Sequence, residues 1–205
     1  LRPLDMGALT ELVTDACQGL GAEVDPALIL QNILRDVYEG VSIEEVRKCT
    51  VLAARALIEK DPAYGYVTAR LLLDSIRVEV LGEPVGQRAM ATRYAEYFPQ
   101  FIRQGITAGL LDERLATFDL ARLGQALDAS RDLKFGYLGL QTLYDRYFLH
   151  VHGRRIELPQ AFFMRVAMGL ALNEIDREAR TIEFYGVLSS FDFMSSTPTL
   201  FNAGT

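Results

Sequence analysis

The sequence predicts a mainly α-helical chain, and three observations predict it. Apolar residues recur at three- and four-residue intervals over most of the 205 positions. Helix-start signals recur as well: Asp5, the pairs Asp25-Pro26 and Asp61-Pro62, and the box Ser42-Ile43-Glu44-Glu45. Strand signals are confined to a short stretch around Gly153 and to the last residues.

Asp5 caps a first helix running to about Gly19 or Gly21, with Leu9, Leu12, Val13, Ala16 and Leu20 on one face. Asp25-Pro26 opens a second, carrying Leu28, Ile29, Leu30, Ile33, Leu34 and Val37 and ended by Gly40. The Ser42 capping box opens a third through about Lys60, with Val46, Cys49, Thr50, Ala53 and Leu57 facing inward. Asp61-Pro62 repeats the cap-plus-proline device for a fourth, about Ala63 to Leu81, that holds Tyr66, Val67, Ala69, Arg70, Leu73, Ile76 and Arg77. The clearest linker follows, Gly82-Glu83-Pro84-Val85-Gly86.

A second helical region begins with about Gln87 to Gln104, interrupted at Pro99 and aromatic on one side through Tyr94, Tyr97, Phe98 and Phe101. Short helices start at Asp112 and Asp119. Ser130 to Phe135 is a polar turn into a helix with Leu138, Leu140, Leu143, Tyr144 and Tyr147. Val151 to Ile156 reads as a tight hairpin turning at Gly153. Leu158-Pro159-Gln160 starts an apolar helix to about Asn173, and another runs from about Asp176 to Phe193.

Half of the residues are apolar, 23% are charged, and the net charge is −6. That is the composition of an ordinary globular chain, and its acidic balance argues against a nucleic-acid or anionic-membrane surface. No apolar run reaches the roughly 18 residues of a membrane span. The start, Leu1-Arg2-Pro3-Leu4-Asp5, has neither signal-peptide nor transit-peptide character and reads as the interior of a longer protein. Cys17 and Cys49 lie on apolar helical stripes without a CxxC spacing, which reads as buried free thiols in a reducing cytoplasm. His150 and His152 stand two apart around a turn; on a strand that spacing would put both on one face, but Glu157 is the sole nearby candidate for a further ligand, so no metal site is assigned. Tyr94, Tyr97, Phe98, Phe101, Tyr144 and Tyr147 read as packing aromatics, and Arg70 and Arg77 as a solvated or salt-bridged face.

Ser195 to Thr205, SSTPTLFNAGT, abandons the helical pattern. Pro198 removes a backbone donor and biases its neighbour toward extended geometry, and Asn202-Ala203-Gly204 suits a turn. Two readings stand: a strand that ends in a turn, or a loop that offers hydroxyls and backbone N–H groups to anionic oxygens.

Phe191 to Thr205, FDFMSSTPTLFNAGT, resembles the ribonucleotide reductase large (catalytic) subunit. So do Asp132-Leu133-Lys134-Phe135, Leu143-Tyr144-Asp145-Arg146-Tyr147-Phe148, and Glu157-Leu158-Pro159-Gln160 with Phe162, Met164-Arg165-Val166-Ala167 and Met168-Gly169-Leu170-Ala171. The resemblance implies the helical N-terminal domain of that subunit over residues 86–190. It makes 191–205 the first segment of a ten-stranded α/β barrel lying mostly downstream. On these matches Thr197 contacts substrate, with Ser196 and Thr199 shaping the same loop; no catalytic, cofactor-binding or metal-binding residue is assigned, and the segment alone is expected to be inactive.

Residues 1–85 resemble the family's regulatory ATP-cone, four helices under a small β-cap, through Gly40-Val41-Ser42-Ile43-Glu44-Glu45 and Asp61-Pro62-Ala63-Tyr64-Gly65-Tyr66-Val67-Thr68-Ala69-Arg70. The phosphate-binding hairpin of active cones is missing. Met6, Ile43, Arg47, Asp74 and Val78 stand where active cones carry a lysine, a threonine, a histidine, an aromatic and a lysine. Phosphate needs donors and positive charge, so the cone reads as degenerate and structural.

The resemblance as a whole implies a class I ribonucleoside-diphosphate reductase, which makes deoxyribonucleotides for DNA synthesis by radical and thiol chemistry. It implies a ribonucleoside diphosphate substrate, ATP and dATP effectors, and a small radical-generating (beta) subunit bearing the metal-radical cofactor. Thioredoxin or glutaredoxin, a homo-oligomer and a cytoplasmic location are also implied, with no nucleic acid or membrane as partner. Two alternatives stay open: an adenosylcobalamin-dependent class II reductase, and a non-catalytic helical regulatory module.

Overall fold

A computed structural model describes residues 4–205; the reading of Leu1 to Pro3 lies outside the described residues. Helix makes up 66% of the chain and strand 2%, which places it in the mainly α class. The helices start where capping chemistry places them. Asp5 accepts from the Ala8 amide at the head of α1, Met6–Cys17. Asp25 does the same for Ala27 ahead of α2, Pro26–Asp36. Ser42 and Glu45 form the reciprocal capping box of α3, Ile43–Arg55. Asp61 accepts from Ala63 ahead of α4, Tyr64–Leu81. Each such cap satisfies amides that the first helical turn leaves without partners.

Helix ends differ more from the sequence expectation than starts do. α2 stops at Asp36, because β-branched Val37 adopts an extended conformation and Tyr38 to Val41 makes a turn around Gly40. α3 stops at Arg55, and the chain continues to Lys60 through tightened turns that bond three residues back. Leu34, Tyr66 and Leu138, named among the apolar residues of their helices, face solvent.

Two compact units divide the chain. The first runs up to Ser75 and takes in Leu133–Thr142; the second is Ile76–Asp132 with Leu143–Thr205. The division falls inside α4, whereas Gly82 to Gly86 is irregular. In the first unit Val13, Ile29, Ile33, Ala54, Tyr64, Val67 and Ala69 are fully buried. Tyr64 accepts from the Asp25 amide through its hydroxyl, and Arg70 donates to the carbonyls of Ala16 and Gln18, closing the C-terminal end of α1. Cys17 is buried and Cys49 half-buried; burial pushes the Cys17 thiol up to about 11.

The second unit contains α5, Met90–Thr107, α6, Leu120–Gln125, and the start of a short element from Ala129 that leads toward α7, Tyr137–Arg146. Asp112 and Asp119 cap the two short helices that follow α5, as their positions predict. Pro99 sits inside α5 and cannot donate to the Ala95 carbonyl. Gly124 of α6 packs against that carbonyl, close enough that a methyl group there would touch it at 3.0 Å. The hairpin forms as predicted, β1 His150–Val151 pairing antiparallel with β2 Arg154–Arg155, and His152 and Gly153 both take positive φ in its turn.

α8, Pro159–Ala171, is buried on almost every side, which explains why its sequence is apolar all round. It packs against α9, Arg177–Ser189, which Asp176 caps. The last residues correct the sequence reading. Thr197–Asn202 is a helix, α10, and not a strand. Pro198 lies in its first turn, where a missing N–H costs nothing and a fixed φ favours the helix.

Candidate functional site

Within the second unit, the segment carrying the predicted substrate residues rests on a fully buried ion pair. Arg165 lies on α8 in the run Phe162-Phe163-Met164-Arg165-Val166-Ala167, and both it and Glu157 have zero exposure. The guanidinium meets the carboxylate through two bonds, Nε to Oε1 at 3.0 Å and Nη2 to Oε2 at 3.2 Å. The Leu149 amide adds a third bond, to Oε2 at 3.0 Å. The remaining guanidinium nitrogen, Nη1, donates to the carbonyls of Leu200 and Ala203 at 3.1 and 3.0 Å. Arg165 therefore supplies donors to carbonyls at the end of α10 that the helix cannot satisfy itself. Paired on one side and capping on the other, it leaves little of its buried charge uncompensated.

Close packing completes the anchor. A methyl group on Gly169 would collide with the backbone of Ala203 and Gly204. Gly204 has φ of 80°, and its carbonyl accepts from the Asp112 amide at 3.1 Å. The base of α10 is thus fixed by a charge, a glycine contact and a backbone bond.

The head of α10 faces outward. Ser196 is the exposed N-cap, and its carbonyl accepts from the amides of Thr199 and Leu200. Thr197 is exposed, with Oγ1 at 3.0 Å from the Tyr147 hydroxyl. The Tyr147 ring stacks on Phe201 at 4.7 Å between centroids and meets Phe162 edge-on at 6.3 Å. Thr199 is half-buried. The structure brings Ser196 and Thr197 together at the exposed head and sets Thr199 further into the helix.

Residues 133–205 match the family described as ribonucleotide reductase, all-alpha domain. The chain is 45% identical over 189 residues to the ribonucleoside-diphosphate reductase subunit alpha of Chlamydia trachomatis, covering 92% of this chain and 18% of that one. It is 35% identical to the Helicobacter pylori subunit alpha over all of this chain and 25% of that one. It is 32% identical to the large subunit of Danio rerio over 96% of this chain and 24% of that one. The chain belongs to the ribonucleotide reductase large-subunit family. It spans a fifth to a quarter of the length of these relatives.

The Arg165–Glu157 pair, Gly169, Tyr147 and all of α10 lie inside the region that matches the family's all-alpha domain. A second buried network lies beside it in the same unit. Asp132 accepts from Arg77 at 3.0 Å, from Gln160 at 2.8 Å and from the Tyr94 hydroxyl. Gln160 in turn accepts from the Tyr185 hydroxyl, which also receives the Asp128 amide. Burial holds the Asp132 carboxyl above its usual range against the pull of Arg77, and raises Tyr94 well above ordinary tyrosine. Burial likewise pushes Tyr185 up to about 12. Arg77 is therefore a buried, salt-bridged side chain and not a solvated one.

The histidines flank the turn as read from the sequence, His150 in β1 and His152 in the turn itself, so they do not share a strand face. Glu157, the candidate third ligand, is committed to Arg165. Among the described residues no group of three or more His, Cys, Asp or Glu could hold a metal ion. No helix of the described residues is long and apolar enough to cross a membrane. In the first unit Met6 and Ile43 are exposed, and Arg47 faces Asp74 at 3.7 Å, so the basic group at the cone-like position already meets an acid.

Sequence reading missed the support of α10. Glu157 was weighed as a metal ligand and as part of a family motif, and Tyr147 as a packing aromatic in another, but neither was read as supporting the last residues. The signal for the ion pair was present: a single charged residue, an arginine, in a largely apolar helix demands a buried counter-charge, and Glu157 precedes that helix.

Proposed function

We propose that this chain is the regulatory and structural part of a class I ribonucleoside-diphosphate reductase large subunit and supplies one wall of the substrate site. The whole enzyme reduces ribonucleoside diphosphates to deoxyribonucleotides by radical and thiol chemistry. The radical arises on a metal-bearing small subunit, and electrons reach the large subunit from thioredoxin or glutaredoxin. In this reading the subunit is cytoplasmic and homo-oligomeric, residues 191–205 lead into the catalytic barrel, and residues 86–190 are the helical domain. The relatives, a ribonucleoside-diphosphate reductase subunit alpha and a large subunit, support the diphosphate substrate and a smaller partner over a cobalamin enzyme.

The observation that carries the substrate assignment is the contrast along α10. Its base is clamped by Arg165, itself paired with Glu157, while Thr197 at its head is exposed. In this reading Thr197 donates to an anionic substrate oxygen, with Ser196 as N-cap and Thr199 in the first turn shaping the head of α10 around it. A charge-assisted hydrogen bond is worth about 1.5–3 kcal/mol. Thr197→Val keeps the shape and removes the donor, so kcat/KM of the full-length enzyme should fall by about ten- to a hundredfold. Wild-type kinetics for every ribonucleotide would remove Thr197 from the substrate site.

Residues 1–85 form, on the same proposal, a cone-like domain that no longer binds ATP or dATP. The Arg47–Asp74 pair and the exposed apolar Met6 and Ile43 support this. Titrating either nucleotide into the chain should give no saturable heat up to about millimolar concentration, where Kd corresponds to about −4 kcal/mol. Micromolar binding would reverse the assignment.

A further inference from the structure

We propose that Tyr147 is a positioning residue for Thr197, holding its hydroxyl so that the threonine proton points at the ligand. The inference rests on the substrate reading of Thr197. Tyr147 follows the last residue of α7, and its amide donates to the Leu143 carbonyl at 2.9 Å. Its ring is held on two sides, stacked on Phe201 and edge-on to Phe162. The phenol therefore has a fixed direction, and it ends 3.0 Å from Thr197 Oγ1.

The sense of that bond follows from acidity. A phenol ionises near pH 10 and an aliphatic hydroxyl far above that, so the phenol is the better donor. With Tyr147 donating, Thr197 Oγ1 accepts and keeps its own single proton for another oxygen. With the reverse sense, the proton would be consumed inside the protein. Donation from Tyr147 also polarises the threonine hydroxyl, which strengthens the bond it gives onward. The ligand chemistry this serves is an acceptor oxygen on a sugar or phosphate. Because Phe201 lies on α10 with Thr197, the same contacts align the helix and the hydroxyl.

The test is a double-mutant cycle in the assembled full-length reductase with its radical-generating subunit and a ribonucleoside diphosphate. Tyr147→Phe keeps the ring contacts and removes only the hydroxyl. It should lower kcat/KM by about three- to tenfold, as loss of one neutral hydrogen bond does. That loss should divide between kcat and KM in the same proportion as the loss in Thr197→Val, and the melting temperature should not change. In a Thr197→Val background Tyr147→Phe should have no further effect, because the partner it orients is gone. A costly Thr197→Val with a silent Tyr147→Phe would overturn this inference and leave the substrate reading standing. Equal, multiplicative losses in both backgrounds would also overturn it, because Tyr147 would then act independently of Thr197. A silent Thr197→Val would overturn both.

Discussion

The two compact units of this chain handle polar groups in different ways. In the first, polar side chains serve helix ends at or near the surface: Asp5, Asp25, Ser42 and Asp61 cap starts, and Arg70 closes the end of α1. Its Arg47–Asp74 pair is partly exposed. In the second, two ion pairs are essentially removed from water, Arg165–Glu157, whose remaining bonds go to backbone groups, and Arg77–Asp132, whose carboxylate also accepts from Tyr94 and Gln160. Caps select where a helix begins but tolerate sliding of the faces that meet. Buried charges tolerate almost none, because a misplaced partner leaves an unpaired charge in a poor solvent. The difference teaches that the second unit is built to fix atoms in place, and one of its two buried pairs, through Arg165, fixes the segment bearing Thr197.

The comparison breaks most readily at Arg165. Arg165→Met strands the Glu157 carboxylate and leaves the Leu200 and Ala203 carbonyls without that donor, so unfolding free energy should fall by about 3–5 kcal/mol. Adding Glu157→Leu should recover most of the loss, since an apolar pair of similar volume needs no compensation. Denaturant titration of both variants measures this; equal destabilisation in the two would refute the charge argument.

A pH series sharpens the same contrast. Tyr185 has its folded pKa raised by burial from 10 to about 12. The sign follows directly: the folded state holds the phenol proton more tightly, so this stability is complete below pH 10 and is lost as pH rises through 12. The shift corresponds to about 2–3 kcal/mol. Stability of the wild-type chain should drop across that window, and Tyr185→Phe should flatten the drop. An unchanged slope in the variant would place the alkaline transition elsewhere.

The smallest effect belongs to the first unit. Arg47→Met breaks an ion pair at 3.7 Å whose members are partly exposed, and should cost under about 1 kcal/mol. A loss as large as that of Arg165→Met would erase the distinction between the units.

Local signals decided what was legible in the sequence. Cap residues located the starts of α1, α2, α3, α4, α6 and α9 well, because the cap hydrogen bond joins residues two or three positions apart. The hairpin was legible for the same reason, as His152 and Gly153 complete it by themselves. α10 was misread because proline serves extended chain and helix starts alike, and sequence alone does not say which. Arg77 was legible as charged but not as buried, since its partner Asp132 lies 55 positions away.

By itself, then, the sequence determined the helical class, the helix starts and the family motifs, all of which depend on residues near one another in the chain. Tertiary structure alone decided that Arg165 reaches Leu200 and Ala203, that Gly169 admits the Gly204 backbone, and that Tyr147 meets Thr197 fifty positions on. Such pairings depend on how helices cross. The crossing is set by the summed packing of α8, α9 and their neighbours rather than by any residue's own preference.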